Sequence, residues 1–292
     1  MDEQEFDPVT GRKTTGHEWN GIKELDTPIP RVVLFFLAAG TLFSLIWWVL
    51  MPAWPLGVTY TKGLLGLDQR EVVTREVEAA AAQRAVWSDR LATADFAEIT
   101  SDPEMMAYVR QTGGVLFTDN CAVCHGVGGA GGPGYPALTA GAWLWGGAPD
   151  QLAETIRVGV NAQHRETRVS EMLAFGDMKI LSHDQIMGVA GHVRALSGQK
   201  PEYVDAAALA AGRQTFADQC AVCHGADGRG DAKVGAPNLT DRQWLYGGDT
   251  QSIVTSIQSG RHGQMPAWEG RLSPAEIRMM AVYVADLAKD KR

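Results

Sequence analysis

The chemistry in this chain concentrates in two identical pentapeptides, Cys121-Ala122-Val123-Cys124-His125 and Cys220-Ala221-Val222-Cys223-His224. Two thiols three positions apart, followed at once by an imidazole, form the attachment signature of a c-type haem. The spacing has a chemical reason: both sulfurs reach the two vinyl groups of one porphyrin, and the His ring addresses the iron from its proximal side. Other uses of paired cysteines fit less well. A structural zinc site brings two Cys-x-x-Cys knuckles much closer than the 99 residues found here. A redox dithiol belongs in a βαβ surround that the sequence lacks. Cys121, Cys124, Cys220 and Cys223 are therefore expected to hold two covalent haems c, with His125 and His224 as axial iron ligands.

A sixth ligand separates electron carriers from haem catalysts. Met265-Pro266 lies 42 residues beyond Cys223, and Met172 lies 48 beyond Cys124. Met172 and Met265 are the expected thioether ligands. Met178 is the rival of Met172, and it falls opposite Glu269 when counted back from the end of the repeat. The spacing leaves open whether each Met serves its own module's iron, the default, or its neighbour's. His/Met ligation leaves no open coordination site and raises the reduction potential, which suits electron transfer. His164 and His262 read as solvated or haem-edge residues, and His192 as a packing residue. The string Gly126-Val127-Gly128-Gly129-Ala130-Gly131 matches a dinucleotide fingerprint but follows Cys-His rather than a strand. It reads as a loop wrapping the haem edge, with Trp143, Trp145, Trp244 and Tyr246 lining the pockets.

The elements that must position these residues come in two copies. FTDNCAVCHG (117–126) matches FADQCAVCHG (216–225), and WLWGG (143–147) matches WLYGG (244–248). SEMLAF (170–175) faces GQMPAW (263–268), and VRAL (193–196) faces VADL (284–287). The order is kept throughout, so this is one module repeated in tandem. Neither copy shows sustained strand alternation. Ser273-Pro274-Ala275-Glu276 and Ser182 with Gln185 supply helix starts. Each copy reads as a few short helices joined by glycine-rich loops, too small a core to stand without a large cofactor.

Ahead of the repeat, residues 32–51 run for 20 positions without a charge. At about 1.5 Å per residue they span a bilayer of roughly 30 Å. Trp47, Trp48 and Trp54 crowd one end as an interfacial belt would. The stretch Asp68–Ala94, free of Gly and Pro, reads as one long helix. Arg12, Lys13, Lys23 and Arg31 before the span outnumber Lys62 and Arg70 after it, which favours a cytoplasmic N-terminus. The expected division is a tail (1–31), a transmembrane helix (32–52), a helical linker (53–107) and two modules (108–199 and 203–292). With 26 Lys+Arg against 34 Asp+Glu in 292 residues, the chain lacks the basic stripe of a nucleic-acid binder. The acidic balance suits a basic protein partner.

Both modules resemble class I cytochrome c domains, with Gly113 and Phe117 ahead of Cys121 as Gly212 and Phe216 precede Cys220. Gly21-Ile22-Lys23-Glu24-Leu25-Asp26-Thr27-Pro28-Ile29-Pro30-Arg31 is similar to the pre-membrane segment of the dihaem subunit (subunit III or P) of cbb3-type cytochrome c oxidases. The resemblance covers nearly the whole chain. It implies a mainly α protein with one transmembrane helix and two tandem class I cytochrome c domains. It further implies a bacterial inner-membrane location, periplasmic haem domains, and electron relay from a donor cytochrome c to a monohaem cytochrome subunit and the catalytic subunit. The chain itself then holds no oxygen-reducing site. In that family the carbonyls at Pro136 and Pro237 would receive the proximal His N–H. A free-standing dihaem shuttle and the cytochrome subunit of a periplasmic dehydrogenase are the alternatives.

Overall fold

The computed structural model describes residues 5–289. They fall into two compact units, Met1–Ala81 and Ala82–Arg292. The first holds a feature not foreseen from the sequence. Strands β1 (Thr14–Trp19) and β2 (Ile22–Leu25) form an antiparallel hairpin with Trp19 opposite Ile22. Its two-residue turn is Asn20-Gly21, both at positive φ (50° and 85°), the pairing that matches the twist of a tight hairpin. Helix α1 (Arg31–Leu50) follows Pro30 and buries none of its residues. Its circumference is apolar all round, the pattern of a helix solvated by lipid. Trp48 meets Trp54 edge-on at 5.1 Å at its C-terminal end.

Helix α2 (Gln69–Thr93) starts where Asp68 accepts hydrogen bonds from the Arg70 and Glu71 amides. Only its last turns belong to the second unit, and there they are anchored. Arg278 donates to the carbonyls of Leu91 and Ala94, which caps the helix end with a cation. Helix α3 (Phe96–Ser101) and helix α4 (Pro103–Asn120) follow, the latter capped by the Asp102 carboxylate and opened by a proline. After α4 come α5 (Ala122–His125), α6 (Pro149–Val158) and α7 (His183–Leu196). The second copy supplies α8 (Ala206–Gln219), α9 (Ala221–His224), α10 (Thr250–Ser259) and α11 (Pro274–Leu287). The two expected capping boxes, Ser182 with Gln185 and Ser273 with Glu276, both form.

The packing does not follow the repeat. Helix α7 packs on α8 and α10, whereas α11 packs on α4 and α6. One apolar core joins Ile186, Val189 and Val193 of α7 to Phe216 of α8 and Ile253 and Ile257 of α10. Another joins Phe117 of α4 and Leu152 of α6 to Ile277, Met280 and Val284 of α11. Each copy has thus exchanged its closing helix with the other. The expected boundaries 108–199 and 203–292 describe the sequence repeat, not the packing units. One core is a continuous stretch from the Met172 arm to α10, and the other is assembled from the stretches flanking it. Within the stretch expected as linker, Leu91, Ile99, Met105 and Met106 are buried against Ala275, Met279 and Val282 of α11.

The exchanged helix crossings need glycine. A Cβ on Gly212 of α8 would lie 2.0 Å from the Gly188 carbonyl oxygen of α7, so the two backbones touch.

Candidate functional site

Each Cys-x-x-Cys-His sits where a long helix ends. The amides of Cys121 and Cys220 still donate to the Phe117 and Phe216 carbonyls, after which one short turn carries the His. His125 Nδ1 lies 3.1 Å from the Pro136 carbonyl oxygen, and His224 Nδ1 lies 3.1 Å from that of Pro237. A carbonyl only accepts, so each Nδ1 carries the proton and each Nε2 presents a lone pair. Burial lowers both imidazole pKa values, against the weaker opposite pull of the carbonyl. Both rings are thereby kept neutral, the form a metal requires. Burial likewise raises the Cys121 and Cys220 thiols to about 11, an apolar setting that suits a thioether.

Both motifs face one continuous cavity of about 1940 Å³. Single-ligand pockets run to roughly 1,000 Å³, so the space fits two large flat groups better than one. His125, His224, Met172 and Met265 all line it, with Trp143, Trp145, Trp244 and Tyr246, as the sequence suggests. Among the described residues, three buried side-chain nitrogens have no hydrogen-bond partner: Trp145 Nε1, Trp244 Nε1 and Arg168 Nε. An unmet buried donor costs about 1–3 kcal/mol. The two indoles belong to residues that line the cavity, so a bound group with acceptors on its edge would suit them. The residues present fit haem c.

The two Met arms follow the exchange. Met172 packs into the core that holds Cys220, Ala221 and Trp244. Its backbone pairs with Arg261 just beyond α10, with N–H···O distances of 2.9 and 3.0 Å. Met265 pairs in the same manner with Val160 just beyond α6, at 2.9 Å both ways. The next aromatic, Trp268, packs into the core that holds Cys121 and Trp143. Gly159 and Gly260 make these contacts possible. A Cβ on Gly159 would meet the Met265 oxygen at 2.4 Å, and one on Gly260 the Met172 oxygen at 2.3 Å. Met178 is 58% exposed and does not line the cavity.

The two arms are held unequally. At the Met265 arm, Arg157 binds Glu154 (2.8 Å), Glu166 (2.5 Å) and Glu269 (3.2 Å). His164 Nε2 adds a 2.7 Å contact to Glu269, and its Nδ1 accepts from the Glu166 amide. The three carboxylates raise the pKa of Arg157. His164 first and Arg157 second hold that of Glu269 down. His164 is thus a clasp on the Met265 arm, not a solvated residue. At the Met172 arm the position of Arg157 is taken by Gln258, with one bond to Asp177 at 2.7 Å. The repeat offset falls from 101 at Gly159/Gly260 to 93 at Met172/Met265, so the first copy carries eight extra residues. His164 and Glu166 lie in that insertion, which is the sequence signal that marks the clasp.

Comparison with known proteins agrees with this geometry. Residues 11–58 match the family described as "N-terminal domain of cytochrome oxidase-cbb3, FixP", residues 111–197 match "Cytochrome c", and residues 207–284 match "Cytochrome C oxidase, cbb3-type, subunit III". The chain is 45% identical over 292 residues to the cbb3-type cytochrome c oxidase subunit FixP of Bradyrhizobium diazoefficiens, covering 99% of both chains. The chain belongs to the FixP/CcoP family. It is also similar to the CcoP subunits of Azospirillum brasilense (40% identity, 100% of both chains) and Cereibacter sphaeroides (43%, 94% of both). Membership of the FixP/CcoP family makes it a membrane-anchored dihaem cytochrome subunit, mainly helical, with covalently bound haem c as its cofactor.

Proposed function

We propose that this chain relays electrons through two haems whose axial ligation crosses between the copies. Cys121 and Cys124 attach one haem, with His125 and Met265 at its iron. Cys220 and Cys223 attach the other, with His224 and Met172. A haem bound here supplies one-electron exchange at its iron. The protein's part is to fix each imidazole by a carbonyl, keep both rings neutral, and bring a thioether to each iron so that the ferrous form is favoured. With both irons saturated the chain carries electrons and leaves oxygen reduction to a catalytic subunit. It accepts them from a donor cytochrome c and passes them to a monohaem cytochrome subunit of the oxidase. The excess of Arg12, Lys13, Lys23 and Arg31 over Lys62 and Arg70 on the far side of the span supports a cytoplasmic N-terminus, with the haem cores in the periplasm of a bacterial inner membrane.

One observation carries the crossed assignment: Met172 packs into the core of Cys220 while Met265 is paired to the end of α6 in the core of Cys121. The test uses single-haem backgrounds. In Cys121→Ala/Cys124→Ala, Met172→Leu removes the near-infrared Met-to-ferric-iron band and Met265→Leu leaves it. The opposite pattern establishes pairing within each copy.

A further inference from the structure

Where the eight-residue insertion begins, the backbone turns through an unusual point. Asn161 lies at φ 48°, a left-handed conformation that few side chains adopt and Asn tolerates best after Gly. Its amide nitrogen lies 2.7 Å from the Ser170 carbonyl oxygen and 2.7 Å from that of Gly263. Its Oδ1 accepts from the Ser170 N–H at 3.0 Å, and its own carbonyl accepts from Gln264 Nε2 at 3.2 Å. Ser170 stands two residues before Met172, and Gly263 two residues before Met265. One side chain therefore spends both its N–H donors on the two arms, at the same position in each. The repeat counterpart of Asn161 is His262, at offset 101, where no insertion follows. Asn161 is thus a single, asymmetric tie.

We infer that Asn161 is a positioning residue shared by both axial methionines, a single tie whose loss releases both arms. This rests on the reading of Met172 and Met265 as iron ligands. A sulfur stays on its iron only while its arm is held in register. An arm that loses its tie spends more time withdrawn, and an exogenous ligand then competes better for the iron. Because one amide holds both arms, its loss opens both haems together.

The experiment uses the full-length ferric dihaem chain in detergent, titrated with imidazole and followed by the near-infrared Met-to-iron band. Asn161→Asp keeps the Oδ1 acceptor and the tolerance for positive φ but removes both N–H donors. Asn161→Gly keeps the backbone turn and removes the whole tie. Each variant is expected to tighten imidazole binding about tenfold at both haems, the effect of one to two lost hydrogen bonds. Leu91→Ala, a cavity in the apolar cluster beneath α11, controls for general destabilisation and is expected to lower Tm without moving imidazole affinity. Tightening at one haem only overturns the sharing, and so does no change at either. Met172→Leu and Met265→Leu, measured alongside, each remove one band if the ligand reading holds. If both bands survive them, that reading fails independently of Asn161.

Discussion

Gly159 is the residue on which the exchange of Met arms can be probed most directly. It ends α6 at φ 68° and ψ −173°, a region reserved in practice for glycine. Placing an L side chain there costs about 1–3 kcal/mol in backbone strain alone. The added Cβ would also lie 2.4 Å from the Met265 oxygen and 2.7 Å from the Ala267 nitrogen. Both are backbone atoms, so no rotamer change relieves the clash. The 265–267 strand must withdraw, and the two 2.9 Å hydrogen bonds between Val160 and Met265 go with it. Those bonds contribute about 0.5–1.5 kcal/mol each, so Gly159→Ala should cost about 2–6 kcal/mol in all. At roughly 2–4 °C per kcal/mol for a domain of this size, Tm should fall by at least about 4 °C. Gly198→Ala is the control. It too has a positive φ (74°), but nothing lies within 4 Å of its Cβ, so only the backbone cost of about 1–2 kcal/mol remains. Circular dichroism melts of the two variants, with near-infrared spectra before heating, give both readings. Gly159→Ala should lose the Met band of the haem on Cys121 and Cys124 and keep that of the other haem. The reasoning is refuted if Gly159→Ala melts no lower than Gly198→Ala, or if the band it loses belongs to the haem on Cys220 and Cys223.

Two further outcomes follow from the asymmetry and burial described above. Arg157→Gln copies the Gln258 of the other arm; at low salt it should cost about 1–2 kcal/mol, less at high salt, and let imidazole in at the His125 haem alone. Equal opening of both haems would show that the clasp does not act on the Met265 arm. His192 is buried edge-on to Phe216 at 5.1 Å, and burial first, Arg213 second, lowers its pKa. The unfolded chain then binds the extra proton, so this residue's contribution is present above about pH 6.5 and is lost as pH falls through the folded value. His192→Gln should flatten the decline in Tm measured by calorimetry from pH 7 to 5; an unchanged slope would mean that His192 does not titrate on unfolding.

What the sequence settled by itself is local or repetitive. Haem attachment is legible in Cys-x-x-Cys-His because five consecutive residues fix the distance between two sulfurs and a ring. The span is legible because 20 uncharged positions have only one solvent that suits them. The caps at Ser182 and Ser273 need only a turn of helix to act. The hairpin of the tail was not legible because Asn20-Gly21, though flanked by Trp19 and Ile22, joins short exposed strands with no sustained apolar alternation. Tertiary structure alone decided which core each methionine arm packs against. Helices α7 and α11 are copies of one another, so either closing helix presents an apolar face that both cores accept. No local signal ranks the two pairings. The choice falls to non-local terms: a connection of nine residues, 197–205, lets α7 fold back on α8 with little loop entropy, and Gly188 meets Gly212 at a distance no other residue pair permits. Once α7 is committed there, α4 is left for α11, and each Met arm is carried across with its helix.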